Sequence, residues 1–338
     1  MTDYYMPIIS VIIPVFNGER TIQETVKSVL QQTFDDFELI IINASSTDST
    51  LDVISQFQDS RIKVFSYPKA NVAVNRNRGA AYAVGEFLTF IDADDLWTPD
   101  KLEAQYKALV EYPEAAVAYS WTNCIDETGK FLRKCSTIAV TGNVYPHLLL
   151  EDFIGNGSNV MICYQAFKDV GGFDESLTNA QDSDLWLKLA ARYQFVAVPK
   201  VQVLYRILTD SMSANVWKLE SACLQVLERS FSHAPASLQY LKSYCLANLY
   251  KYLLYRSLEG YSDRSKIQIT TKFIIYTIKT DPSILFKKTI YKALLKLILI
   301  ILFTRNINNK IFSKFPSIKN TSSLLGYIIT DPHTLPHK

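Results

Sequence analysis

Residues 87–97, FLTFIDADDLW, constrain this chain more than any other stretch. A β-rich apolar run of this kind reads as a buried strand. It ends abruptly in Asp92, Asp94 and Asp95. Open α/β sheets bind ligands at the carboxyl ends of their strands, which is where this strand places Asp92 and Asp94. Clustered carboxylates repel one another and are costly to desolvate without a cation. One reading is therefore a divalent metal, Mg²⁺ or Mn²⁺, holding a phosphorylated ligand through hard oxygen donors. The other is a solvated acidic turn ahead of a helix, because Thr98-Pro99-Asp100 is a good helix start. The segment by itself leaves both readings open.

The chain around it alternates strands with helices. Residues 8–16 read as a first strand, 21–32 as a helix, 37–42 as a second strand and 50–57 as a helix. A third strand at 62–67 and a helix at 75–84 lead into the acidic strand. That order predicts a parallel, doubly wound sheet. Further strands are expected at 115–119, 159–163, 195–198 and 202–205, with a helix at 183–193. Beyond about residue 214 the pattern turns helical, so the expected division is a domain at 1–212 and a helical region at 213–338.

Composition narrows the field. With 338 residues, 48% hydrophobic and 12% aromatic, the chain can build a large core and is no disordered protein. A net charge of +2 argues against a nucleic-acid partner. Cys124, Cys135, Cys163, Cys223 and Cys245 are scattered and lack CxxC spacing, which favours reduced thiols in a cytoplasmic protein. No signal peptide is visible at the N-terminus, and the longest uncharged apolar run, 297–303, is far too short to span a bilayer.

Two more segments carry polar groups suited to chemistry. In NRNRGAAYAVGEFLTFIDADDLW, residues 75–97, Arg76 and Arg78 lie near enough to the acidic strand end to reach a phosphate or pair with a carboxylate. In GGFDESLTNAQDSDLWLKLA, residues 171–190, Asp182 and Asp184 open a helix. A carboxylate there either complements the helix N-terminus or accepts a proton from an attacking hydroxyl. Spacing does not choose between these roles.

Together, Val11–Glu19 (VIIPVFNGE), Asn75–Trp97 and Gly171–Ala190 resemble, in order and separation, the motifs of the inverting family-2 glycosyltransferases. The resemblance covers roughly residues 8–215. It implies the GT-A nucleotide-diphospho-sugar transferase fold, a Rossmann-like doubly wound mixed sheet, here with a C-terminal helical extension. It also implies transfer of a sugar, with inversion, from a nucleotide-diphosphate donor (a UDP-sugar by default) to a glycan or lipid-linked hydroxyl, in polysaccharide or surface-glycan synthesis. Asp182 takes the catalytic-base position. Asp92 and Asp94 match the DxD pair, with Asp92 near the ribose and Asp94 on the Mn²⁺ or Mg²⁺ that bridges the diphosphate. Pro14, Phe16, Asn17, Glu19, Asn43, Arg76, Asn77 and Ala93 complete the implied nucleotide-sugar pocket. Trp186 falls to core or acceptor floor.

Three departures stand out. The family's usual VDDGSTD is Ile42-Asn43-Ala44-Ser45-Ser46-Thr47-Asp48 here. Asn43 keeps a donor and an acceptor for a base edge, whereas Ala44 has neither, so the base is left open. The usual Glu-Asp pair is Gln181-Asp182, and loss of the like charge is expected to lower the Asp182 pKa relative to a paired carboxylate. Leu208 replaces a frequent His after Tyr205-Arg206. The first two departures motivate a rival reading, a catalytically silent nucleotide-sugar-binding or scaffold protein of the same fold. In the tail, Lys288, Lys292 and Lys296 recur at fourfold spacing within 287–303. As a helix this segment suits either a membrane surface on the cytoplasmic face or a packed helix with a lysine-solvated edge.

Overall fold

A computed structural model describes residues 6–208, 216–259 and 264–336. The chain divides into two compact units, residues 1–145 with 152–211 and residues 146–151 with 212–338. The expected division between 212 and 213 lies outside the described residues.

The first unit runs β1 (Ile9–Val15), α1 (Ile22–Leu30), β2 (Phe37–Asn43), α2 (Thr50–Ser55), β3 (Ile62–Ser66), α3 (Val72–Tyr82) and β4 (Phe87–Phe90). It continues through β5 (Leu96–Trp97), α4 (Lys101–Glu111), β6 (Ala115–Ile125), β7 (Phe131–Lys134), α5 (Tyr145–Leu150), β8 (Met161–Cys163), α6 (Tyr164–Asp169), α7 (Gln181–Ala190) and β9 (Gln194–Arg206). Helix α5 crosses into the second unit from Pro146 onward. Every residue of β1 and β2 is buried, as strands covered on both faces require.

The sheet order is β3-β2-β1-β4-β8-β6-β9-β5, with β7 on β6. The β3-β2-β1-β4 half is parallel, with Pro14 opposite Ile42 and Ile12 opposite Phe90. The far half is mixed, because β8 runs antiparallel between β4 and β6. The purely parallel sheet suggested by strand–helix alternation thus holds only up to β4.

Residues 195–198 and 202–205, expected as two strands, belong to the single strand β9. Ser120 faces Val198 while Trp121 faces Val201, so Pro199 and Lys200 are accommodated in a bulge. A bulge lets a proline ride in a strand without owing a ladder hydrogen bond. Helix α3 begins at Val72 rather than Asn75, because the Asn71 side chain accepts the Val74 N–H at 2.9 Å and caps it.

The second unit is helical: α8 (Val216–His233), α9 (Leu241–Leu258), α10 (Ile267–Thr280), α11 (Lys288–Leu302), α12 (Arg305–Lys314) and α13 (Pro316–Lys319). Leu253, Leu254, Ile269, Phe273, Ile290, Ala293 and Leu324 form its core. Among the described residues no helix is long and apolar enough to cross a membrane.

The three lysines of helix α11 differ in burial: Lys288 is exposed, Lys292 half-buried and Lys296 buried. Lys296 is only 2% exposed and donates to the Leu258 carbonyl at 2.7 Å. The face opposite Ile290, Ala293, Leu297 and Ile300 is apolar, with Tyr291, Leu295, Ile298 and Leu302 all exposed. The lysine stripe thus runs from the solvent edge at Lys288 into the core at Lys296. Packing against α9 and α10 places Lys296 at the α9 carboxyl end, where a cation is favoured.

Candidate active site

The chain leaves β4 at Phe90 and turns through Asp92-Ala93-Asp94-Asp95. Two hydroxyls, Thr21 at the N-cap of α1 and Thr25 in its first turn, hold this turn from one side. Thr21 Oγ1 donates to the Ala93 carbonyl at 2.8 Å, and Thr25 Oγ1 reaches the Ala93 and Asp95 carbonyls. Ser158 holds it from the other side, accepting from Asp92 N at 3.0 Å and donating to Asp95. Arg206 supplies the floor. Its backbone N–H donates to Asp95 Oδ1, and its guanidinium donates to the Asp94 and Glu127 carbonyls and to Glu24. Asp95 is fully buried and spends its oxygens on these bonds, so it builds the turn. Asp92 and Asp94 remain partly open.

Arg76, on the buried side of α3, joins two of the sequence-derived site residues. One guanidinium nitrogen donates to Asp92 Oδ1 at 2.6 Å and another to Asp182 Oδ1. Arg76 is 1% exposed, and its guanidinium lies 5.1 Å from the Phe173 ring centroid. Room for it comes from Gly157, where an added Cβ would collide with the guanidinium. Asp182 reaches Arg76 from the first turn of α7, next to Ala180, which is held at φ 56°. A left-handed conformation at a non-glycine residue costs about 1 kcal/mol or more and persists only where its surroundings enforce it.

Asn77 braces the same region rather than opening onto it. It accepts from Phe173 N at 3.0 Å and donates to the Phe173 carbonyl at 2.9 Å. Gly172, at φ 67°, makes that approach feasible, since a Cβ there would meet Asn77 Oδ1 at 2.8 Å. Trp186 is fully buried and belongs to the core.

Burial dominates the protonation of the acidic groups. It raises the Asp182 pKa to about 6, opposed by Arg76 and reinforced by Asp92 and Asp152. Gln181 adds no like charge beside Asp182; the upward shift comes first from desolvation, with like charge supplied through space by Asp92 and Asp152. Burial, with Asp92 beside it, raises Asp94 to about 6, while Arg206 pulls the other way. Burial raises Asp95 well above the carboxylate range, with Asp94 and Asp92 adding to it.

The remaining expected pocket residues lie at the ends of β1 and β2. Pro14 is in β1. Phe16 is 41% exposed, with Lys69 Nζ over its ring at 3.9 Å. Asn17, Gly18 and Glu19 are stitched to the loop at 46–50. Asn17 Oδ1 accepts from Thr47 N at 2.8 Å, Gly18 N donates to Thr50 Oγ1 at 2.8 Å, and Glu19 accepts from Ser49 N at 2.9 Å. Asp48 accepts from Glu19 N and Thr50 N, anchoring the entry to α2. Asn43 is buried, accepting from Ser46 N at 3.0 Å and donating to Ser66 Oγ at 3.1 Å. Ala44 is buried beside it.

Sequence reasoning missed four contributors: Asp152, Ser158, Gly157 and the multiple role of Arg206. Gly157-Ser158 follows Asn156 in a polar loop with no strand or helix pattern of its own, so no periodicity flags it.

Carboxylates at the carboxyl end of a mixed sheet, a buried arginine and a carboxylate opening α7 define a GT-A glycosyltransferase architecture. The family described as "Glycosyltransferase like family 2" matches residues 10–257, and the chain belongs to it. Similar relatives include the glucosyltransferase WfgD of Escherichia coli, 29% identical across 75% of this chain and 96% of that one. TuaG of Bacillus subtilis, a putative teichuronic acid biosynthesis glycosyltransferase, is 32% identical across 64% and 86%. An uncharacterized glycosyltransferase of Rickettsia conorii is 34% identical across 57% of this chain but only 32% of its own length. The chain spans about a third of the length of this and two further Rickettsia relatives. Among solved structures, S. aureus TarS 1–349 in complex with UDP shares the fold at TM-score 0.57 and 18% identity, covering 90% and 91% of the two chains. The mannosyltransferase PcManGT of Pyrobaculum calidifontis, in complex with GDP-Man and Mn²⁺, does so at 0.54 and 18%, covering 84% and 89%.

Proposed function

We propose that this chain is a metal-dependent inverting glycosyltransferase, moving a sugar from a nucleoside-diphosphate donor to a hydroxyl of a glycan or lipid-linked acceptor. The observation that carries this reading is the Asp92–Arg76–Asp182 bridge, which joins the acidic strand end to the carboxylate that opens α7. It couples the donor end of the site to a base within one buried network.

Asp182 accepts the proton of the acceptor hydroxyl as that oxygen attacks the anomeric carbon. One base suffices for inversion, since the nucleophile is the acceptor itself, whereas double-displacement retention needs a second carboxylate as nucleophile. Arg76 keeps Asp182 ionised above its raised pKa and offsets the charge of Asp92. Asp94 fits a hard cation. No side-chain donor among the described residues reaches its carboxylate, and it sits half-buried beside Asp92. When bound there, Mn²⁺ or Mg²⁺ supplies positive charge to the diphosphate leaving group.

Phe16, Asn17, Glu19 and Ala93 shape the donor pocket, with Pro14 behind them. Asn43 accepts from Ser46 N with its amide oxygen and donates to Ser66 Oγ with its amide nitrogen, and so shapes the pocket wall at the ends of β2 and β3. The donor base stays unassigned, with uridine the default. WfgD is named for transfer onto an undecaprenol-diphosphate-linked sugar, which supports a lipid-linked acceptor here. The exposed apolar face of α11, preceded by Phe286 at 89% exposure with Lys287 and Lys288 at its start and followed by Arg305, suits an anionic membrane at the cytoplasmic face.

The test is a thermal-shift screen of UDP-, GDP- and dTDP-sugars with and without Mn²⁺. A donor that stabilises only with the metal, followed by its turnover, supports the reading. Donor binding without hydrolysis or transfer to any acceptor supports the silent-binder alternative, to which Ala44 and Gln181 point.

A further inference from the structure

We propose that the second unit carries a zinc-type site formed by His147, Asp331 and His333, separate from the carboxylate site of the first unit. One ligand atom from each of the three residues lies within 4.8 Å of the other two. Two imidazoles and one carboxylate are a borderline-soft donor set, which suits Zn²⁺ over the Mg²⁺ or Mn²⁺ favoured by Asp94. A tetrahedral ion with bonds of about 2.1 Å holds its ligands about 3.4 Å apart, so side-chain movement of roughly an ångström closes the site.

Each ligand is positioned by something other than the ion. His147 lies in α5, and its Nδ1 is buried with no hydrogen-bond partner among the described residues. A buried ring nitrogen without a partner is a cost that needs an explanation, and a bound ion supplies one by ordering the ring. Asp331 caps the 3₁₀ turn at 332–334: one oxygen accepts from His333 N at 2.9 Å, which leaves the second carboxylate oxygen for a ligand. The His147 and His333 rings stand edge to face, with centroids 5.9 Å apart and planes at 67°.

The three residues come from opposite ends of the second unit's sequence, so an ion there pins the 331–334 turn to the 146–151 segment. A clip of this span closes a long loop and stabilises through the unfolded state. The role is structural, with a fourth position left for water.

The test uses the full chain, stripped of metal and titrated with Co²⁺ and Zn²⁺ alone. Wild type should bind one equivalent with d–d absorption in the visible region of a tetrahedral nitrogen–oxygen site, and Zn²⁺ should raise its melting temperature. His333→Ala, at an exposed position, should remove both signals while leaving the far-ultraviolet dichroism unchanged; Asp331→Asn should weaken them at least tenfold. Asp94→Asn should leave both intact. Retention of the cobalt spectrum in His333→Ala, its loss in Asp94→Asn, or absence of tight zinc binding by wild type would overturn the site.

Discussion

Both units bury cations, and they use them differently. In the first, Arg76 lies between two carboxylates and leaves one of them, Asp182, at the head of a helix facing the acidic turn. In the second, Lys296 donates to the Leu258 carbonyl, and Lys251 to the Tyr327 carbonyl and to Asp281, with Leu258 ending α9. The arginine holds charges that have chemistry to do. The lysines finish backbone that would otherwise lack a donor. A buried cation is therefore a functional marker only when the groups around it are themselves exposed to a ligand.

Predictions that break or sharpen this contrast run from large to small. Asp182→Asn removes the proton acceptor and should lower kcat by about 10²–10⁴-fold, with donor binding retained; steady-state kinetics beside calorimetric donor titration would check it. If turnover survives, the base lies elsewhere. Arg76→Met leaves two carboxylates without their partner, which for a buried pair costs about 3–5 kcal/mol. Denaturant unfolding should show that loss, and activity should fall with it. Asp94→Ala should abolish Mn²⁺-dependent donor binding with little change in stability; binding unchanged by metal in both proteins would remove the ion from the reading.

The pH dependence is intermediate. The Asp182 carboxyl, raised to about 6, must be ionised to accept a proton, so kcat should fall as pH drops through about 6 and be flat above it. Stability takes the opposite sign. A carboxyl whose folded pKa lies above its unfolded value holds its proton better when folded, so this group stabilises at low pH and that contribution is lost between about 4 and 6. A kcat profile whose acidic limb sits below pH 5 would place the base in a better solvated position. Least affected should be Lys296→Met. It leaves the buried Leu258 carbonyl without its donor, so a loss of about 1–3 kcal/mol in unfolding free energy is expected, with kcat untouched.

Much of the first unit was readable from residue order. β1, β2, β3 and β4 are apolar runs with clear turn signals, and the acidic exit from β4 and the opening of α7 carry the polar groups that matter. The readings failed where distant residues decide. Arg206 looked notable only for the Leu208 two positions on, yet it ties the acidic turn to Glu24 and Glu127 through contacts that no local pattern encodes. Gln181 was legible as the loss of one like charge beside Asp182, but the desolvation and the Asp152 charge that raise its pKa act through space and leave no mark in the local sequence. Lys296 was assigned to solvent by its spacing, because a fourfold stripe is indistinguishable in sequence from one that turns inward under α12: its ammonium lies 5.6 Å from the Phe312 ring centroid. β9 was split at Pro199 because a bulge is a property of two strands together.

Gly157 has one further consequence. Its missing side chain and the Arg76 guanidinium occupy the same volume, so the two positions can change only in concert. Gly157→Ala alone should unfold the site, while Gly157→Ala together with Arg76→Lys, whose narrower head vacates that volume, should recover more stability than the separate effects add up to. Across any set of functional variants selected from a random library, residues 76 and 157 should therefore covary as a coupled pair, even though they sit on different elements and neither is informative when scanned one position at a time.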